Sequence, residues 1–204
     1  MRTSHADRSA RTRTALLESA ARGLSRYGYG NLVLDQVAKD AGYTRGALYH
    51  QFKDKQDLVL AVWEWVIDTW RAEVEEFVGQ ESEPVAALLT LARGHALFCR
   101  RDVARMAIAL RVEFSGQDHP VGDVVERSYA LLTDTCRLLI EAGRDNGSIP
   151  PGPPVDVLAS AYIGALEGTV IALAGRAPHD ELLAARVAAG VLGLTHDPRT
   201  EAPQ

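Results

Sequence analysis

Apolar positions recur at three- and four-residue intervals along nearly the whole chain, which predicts a succession of helices. From Ser9, Leu16, Leu17, Ala20, Leu24 and Tyr27 share one face, with Arg22 and Arg26 on the polar side and Gly28 and Gly30 ending the run. Leu34, Val37, Ala38 and Ala41 form a second, short face that Gly42 stops, because a positive φ is cheap there. Thr44 then caps a third helix that turns Leu48 and Phe52 inward. A fourth helix runs from Lys55 to about Val78. Its Leu58 and Val62 close a small core, and Val59, Trp63, Val66 and Trp70 make a stripe that continues beyond it; all three tryptophans fall between Trp63 and Trp70.

Further on, Pro84 opens a helix with Leu88, Leu91, His95 and Phe98 along it, and Asp102 caps a shorter one carrying Met106, Leu110 and Phe114. A long helix from Pro120 to about Asn146 places Val121, Val125, Tyr129, Leu132, Cys136 and Leu139 on one face, and Gly147 ends it. No helix crosses Pro150 to Pro154, PPGPP. Beyond it, Val155 to Arg176 is apolar on too many sides for a surface helix, and Pro178 to Leu194 adds a last helix with Leu182, Leu183, Val187, Val191 and Leu194. The expected fold is all-α: a three-helix head at 9–55, a shared helix at 55–78, a helical body at 79–195, and flexible ends at 1–8 and 196–204.

The stretch 32–55, LVLDQVAKDAGYTRGALYHQFKDK, has the form of a helix-turn-helix. Ala38 is small where two helices cross, and Gly42 turns the chain so that the second helix projects. That helix leaves Thr44, Arg45, Gly46, Ala47, Tyr49 and His50 outside, as a helix entering the major groove of DNA requires. Arg45 is the first candidate for reading a base, since a guanidinium can bond guanine O6 and N7 together. Gly46 and Ala47 leave room for close approach. Tyr49 and His50 suit a phosphate or a thymine methyl; the alternative for Tyr49 is packing against the first helix. Gln36, in the first turn of the preceding helix, is a candidate backbone contact. Lys53 and Lys55 stand at the start of the fourth helix, with Asp54 as its cap and Asp57 three residues on. Arg2, Arg8, Arg11 and Arg13 could reach along a DNA backbone, or belong to a frayed terminus.

The run TRGALYHQFKDKQDL, behind a helix ending AKDAG, resembles the signature of the TetR family of bacterial transcriptional regulators, over about Arg11 to Val66. The resemblance implies a ligand-responsive homodimer, most often a repressor, with the Lys55 equivalent against a phosphate. Most relatives place Thr where Val33 stands; Val33 neither caps the second helix nor bonds a phosphate, and a missing cap costs about 1 kcal/mol. Asn31 is the alternative cap.

Charge sharpens the division. The net charge of -5 conceals ten Lys and Arg against five Asp and Glu in residues 1–55, and twelve against twenty-two in the remainder. A basic end on an acidic body is the footprint of phosphate neutralisation. Cys99 and Cys136 have no ligand spacing, no metal or cofactor is implied, and Glu167 near Tyr162 is too little for acid-base catalysis, so no enzyme is expected. No targeting segment is recognised and the expected location is the cytoplasm.

For the body, the resemblance points to an effector pocket lined by His95, Phe98, Met106, Leu110, Phe114, Tyr129, Cys136 and Tyr162, residues that a packed bundle would need equally. It also points to a twofold four-helix interface through Ala161, Gly164, Ala165, Gly168, Leu183, Val187 and Val191; otherwise the last two helices cover the body's own core. The expected partners are operator DNA, a small hydrophobic or amphipathic effector and a second copy of the chain, without a membrane. The alternative is a protein of this type that binds ligand or protein but no longer DNA.

Overall fold

The structure, a computed structural model, describes residues 5–101, 105–173 and 175–194, and among these it contains helices and no strand. It forms two compact units. One comprises the chain up to Thr69 together with Arg101–Ser128, the other Trp70–Arg100 together with the chain from Tyr129 onward.

The first unit holds α1 (His5–Tyr27), α2 (Leu34–Asp40), α3 (Arg45–Gln51), most of α4 (Lys55–Trp70), α7 (Met106–Phe114) and the start of α8 (Pro120–Asp145). Leu16, Ala20 and Leu24 of α1 are fully buried with Leu48, Leu58, Val59 and Val62, so the periodic positions form one core. Ser19 joins them as a buried polar group whose hydroxyl donates to the Val37 carbonyl at 2.9 Å, tying α1 to α2. On α4, Trp63 is buried and its Nε1 donates to Ser128 Oγ at 3.1 Å.

Two expectations need correction here. Helix α1 begins at His5, so residues 5–8 are not a loose arm. Extending a formed helix adds one hydrogen bond per residue fixed, and Asp7 in the first turn favours the N-terminal dipole. Asn31 does not cap α2; its Nδ2 donates to the Tyr27 carbonyl at the end of α1, and the N-cap of α2 is Val33, with no side-chain bond. The postulated Asp102 cap, the first four residues and the tail from Thr195 lie outside the described residues.

The units also divide the chain elsewhere than the expected boundaries. Residues 101–128 group with the head because α7 packs on α1 and its Glu113 holds the turn that follows α1. The fourth helix is not uniform to Val78: α4 passes into a π turn at Arg71–Glu75, and α5 (Glu76–Val78) follows.

In the second unit α6 (Pro84–Phe98), α9 (Val155–Leu173) and α10 (His179–Val191) pack together. A Cβ at Gly94 would stand 3.0 Å from Val74, so glycine allows the π turn to lie close on α6. Tyr162 is fully buried and donates to the Leu88 carbonyl. At the end of α6, Arg100 grips the buried Asp180 with two bonds, at 2.9 and 2.7 Å, and Asp180 in turn accepts the Glu181 N–H. That pairing holds the Asp180 carboxyl below its usual range, the Arg100 hydrogen bond being the largest cause. Among the described residues α9 is the one helix long and apolar enough, by length and composition, to cross a membrane. Its Leu158, Ala159, Tyr162, Ile163, Leu166 and Val170 are nevertheless buried inside the unit.

Candidate nucleic-acid interface

The turn between α2 and α3 is built as its residues require. Gly42 has φ +78°, and the Tyr43 N–H reaches back to the Ala38 carbonyl at 2.9 Å, closing the end of α2. Ala38 is buried at the crossing. Thr44 Oγ1 accepts the Ala47 N–H at 3.2 Å, capping α3, while Leu48 anchors the helix from below. Arg45, Gly46, Tyr49 and His50 are exposed and Ala47 is half-exposed, so the projecting face carries the residues expected of it.

Arg45 is outside, yet it is not unpaired. Its Nη1 lies 3.2 Å from Asp35 Oδ2, and its guanidinium carbon stands 5.3 Å from the centre of the Tyr49 ring. Tyr49 is therefore engaged by Arg45 from above and is 43% exposed, a shelf for the guanidinium. Gln36 is also exposed and donates to Asp40 Oδ1 at 2.6 Å, which ties it along α2. Of the arginines considered for the arm, Arg13 is spent inside the unit: it reaches the Gln51 carbonyl at 3.4 Å and lies 4.6 Å over the Phe52 ring.

The entrance to α4 is a reciprocal cap. Asp54 Oδ1 accepts the Asp57 N–H and Asp57 Oδ2 accepts the Lys53 N–H, both at 2.9 Å. Lys53 is exposed, whereas Lys55 is half-buried: its Nζ donates to the Gly30 carbonyl at 3.0 Å and stands 4.6 Å over the Tyr29 ring. Desolvation lowers the Lys55 pKa, and the Glu113 charge works against that. An ammonium has three donors, so a bond to Gly30 leaves two for a phosphate oxygen.

Beneath this entrance lies a group that no sequence spacing announced. Glu113 of α7 accepts the N–H groups of Tyr29 and Gly30 at 2.6 and 2.7 Å. A Cβ on Gly28 would meet Glu113 Oε2 at 2.6 Å, and Gly28 has φ +70°, so glycine is needed there twice over. Phe114 and His119 stack at 4.5 Å, and Tyr29 meets both edge-on.

The eight side chains expected to line a pocket are divided between the units. Met106, Leu110 and Phe114 are buried in the first, and Phe114 belongs to the aromatic cluster just described. Phe98, Cys136 and Tyr162 are buried in the second, with His95 and Tyr129 half-buried there. The Tyr162 hydroxyl is committed to Leu88. Burial lowers the His95 pKa to about 4, so its ring is neutral near pH 7, and Cys99 Sγ lies 3.7 Å from its Nε2. Burial pushes the Cys136 thiol up to about 12. No group of three or more potential metal ligands occurs among the described residues.

Comparison with known proteins agrees with the helix-turn-helix. The family profile described as bacterial regulatory proteins, tetR family, matches residues 16–62. The chain is 28% identical over 173 residues to the A-factor receptor protein of Streptomyces griseus, covering 83% of this chain and 57% of that protein. Over 53 residues it is 47% identical to the HTH-type transcriptional regulator AcrR of Shigella flexneri, covering 26% of this chain and 25% of that one. The chain thus matches little more than half of the length of the first relative and a quarter of the second. In fold it resembles AibR, crystallised with isovaleryl coenzyme A and operator DNA, with a TM-score of 0.69 at 20% identity over 89% of this chain and 96% of that one.

Proposed function

The chain belongs, by its N-terminal helices, to the TetR family of bacterial transcriptional regulators, and from that premise we propose that it is a homodimeric repressor of a near-palindromic operator, released by a small hydrophobic or amphipathic effector. The observation that carries the reading is the Thr44-capped α3, standing on buried Leu48 with Arg45, Tyr49 and His50 turned outward. In this reading Arg45 reads a guanine edge, Tyr49 and His50 touch the backbone or a thymine methyl, and Lys53, Lys55 and Gln36 bond phosphates.

A second copy of the chain is supported by α9. Val157, Ala161, Gly164, Gly168 and Ile171 follow one another at intervals of four and three residues, and all are exposed. Nothing lies within 4 Å of a Cβ built on Gly164 or Gly168, so another backbone can approach there. With Leu183, Val187 and Val191 of α10 and Ala165, this stripe forms the proposed twofold interface, and paired heads then meet half-sites about 34 to 36 Å apart or a multiple of that. The ligand named with AibR supports an amphipathic effector. It acts by binding more tightly to the state that does not fit DNA, since equal affinity for both states would shift nothing. The relatives are regulators and not enzymes, and a cytoplasmic location follows from an operator as partner.

One observation favours a different reading, in which the chain has the regulator fold without DNA binding: Val33 leaves the N-terminus of α2 without a side-chain cap. Footprinting on the DNA upstream of its own gene, repeated with a panel of small hydrophobic compounds, separates the two. The regulator reading expects a protected near-palindrome that one class of compound abolishes. Protection nowhere, by a folded dimer, favours the other.

A further inference from the structure

Arg45 is already held at one of its five N–H donors before it meets DNA. Asp35 on α2 takes its Nη1 at 3.2 Å, and Tyr49, one turn along α3, lies under the guanidinium. The two charged side chains are 65% and 56% exposed, so water weakens the pair and leaves it exchangeable. The other carboxylate of α2, Asp40, is engaged by Gln36.

The consequences differ for the two DNA contacts open to Arg45. A phosphate offers the same kind of acceptor that Asp35 already offers, an anion that can take one or two guanidinium N–H groups, so exchanging one for the other gains little. A guanine edge offers two acceptors in the plane of the guanidinium, O6 and N7, and no net charge. We infer that Asp35 is a specificity-determining residue: it holds Arg45 back from the phosphate backbone of non-cognate DNA and yields it to a guanine edge. The inference rests on the DNA-binding reading above.

The test begins with a random-sequence duplex pool from which the wild-type protein selects a binding sequence. Affinities for that duplex and for a shuffled duplex of the same composition are then measured as a function of salt. Asp35→Asn keeps size and hydrogen bonding; thermal unfolding confirms the fold. We expect it to bind the shuffled duplex about 3- to 10-fold more tightly, with the salt dependence steeper by about one phosphate contact, while the selected duplex gains less. The ratio of the two affinities therefore falls, by the full 3- to 10-fold where the selected duplex gains nothing and by less as its own gain grows. Asp40→Asn, which also removes one negative charge from α2, should tighten both duplexes alike and leave the ratio unchanged. In an Arg45→Ala background, Asp35→Asn should leave it unchanged too. Equal tightening of both duplexes by Asp35→Asn, or weakened binding of the selected one, overturns the inference while DNA binding stands. Failure of the wild type to enrich any sequence overturns the DNA-binding reading and the inference with it.

Discussion

Glu113 should be the residue on which the turn before the helix-turn-helix depends. Its carboxylate takes two consecutive backbone N–H groups, at 2.6 and 2.7 Å. Hydrogen bonds to a charged group are worth about 1.5 to 3 kcal/mol each, but the Gly30 N–H is exposed and can rehydrate, so Glu113→Ala should cost about 2 to 4 kcal/mol locally. Amide hydrogen exchange reads those two N–H groups directly. At about 1.4 kcal/mol per tenfold, protection at Tyr29 and Gly30 should fall by roughly 30-fold or more, with α9 and α10 unaffected. A double-mutant cycle sharpens the test. Gly28→Ala strains a φ of +70° and drives a Cβ to 2.6 Å from Glu113 Oε2. Only the second effect vanishes in the Glu113→Ala background, so Gly28→Ala should cost about 1 kcal/mol less there. Unchanged exchange at Tyr29 and Gly30 in Glu113→Ala, or strict additivity in the cycle, would refute the clamp.

Other consequences are as concrete. Ile171→Glu, at a position 64% exposed, should leave the fold intact and shift the protein to monomers in sedimentation, raising the dimer dissociation constant at least about 100-fold because two charges enter a twofold apolar interface. The unfolded chain protonates His95 near pH 6.5 while the folded form resists to about pH 4, so stability present above pH 6.5 should be lost as pH falls through that window. The loss approaches roughly 3 kcal/mol, and denaturant titrations of wild type and His95→Gln should diverge over that range and nowhere above it. Cys136 and Cys99 are buried, so iodoacetamide at pH 8 should modify neither thiol in the native protein and both after denaturation.

The parts legible in the sequence were those with local causes. Gly42, Thr44, Leu48 and the Asp54–Asp57 cap each act within four residues, so spacing alone located α2, α3 and the start of α4. The parts that were not legible join residues far apart in the chain. Glu113 meets Tyr29 across more than eighty residues and brings 101–128 into the head's unit, which no periodicity encodes. The Asp35–Arg45 pair is illegible for a different reason: the two residues belong to different helices, and periodicity along either one does not say which carboxylate the guanidinium meets across the turn. The π turn at Arg71–Glu75 falls inside an apolar stripe that reads as ordinary helix. The residues expected to line a pocket come from several helices, and nothing in their spacing divides them between two units, since burial in either unit selects the same residue types.

The central claim is that Arg45 reads a base from the start of α3. Its most direct measurement compares wild type and Arg45→Ala on the selected duplex, each with and without 7-deazaguanine, which lacks the N7 acceptor, at single guanines. Arg45→Ala should weaken binding about 5- to 150-fold with the dimer intact. One 7-deazaguanine position should weaken the wild type and cost the variant nothing further. Equal binding by both proteins, or a wild type indifferent to every guanine replaced, would contradict it.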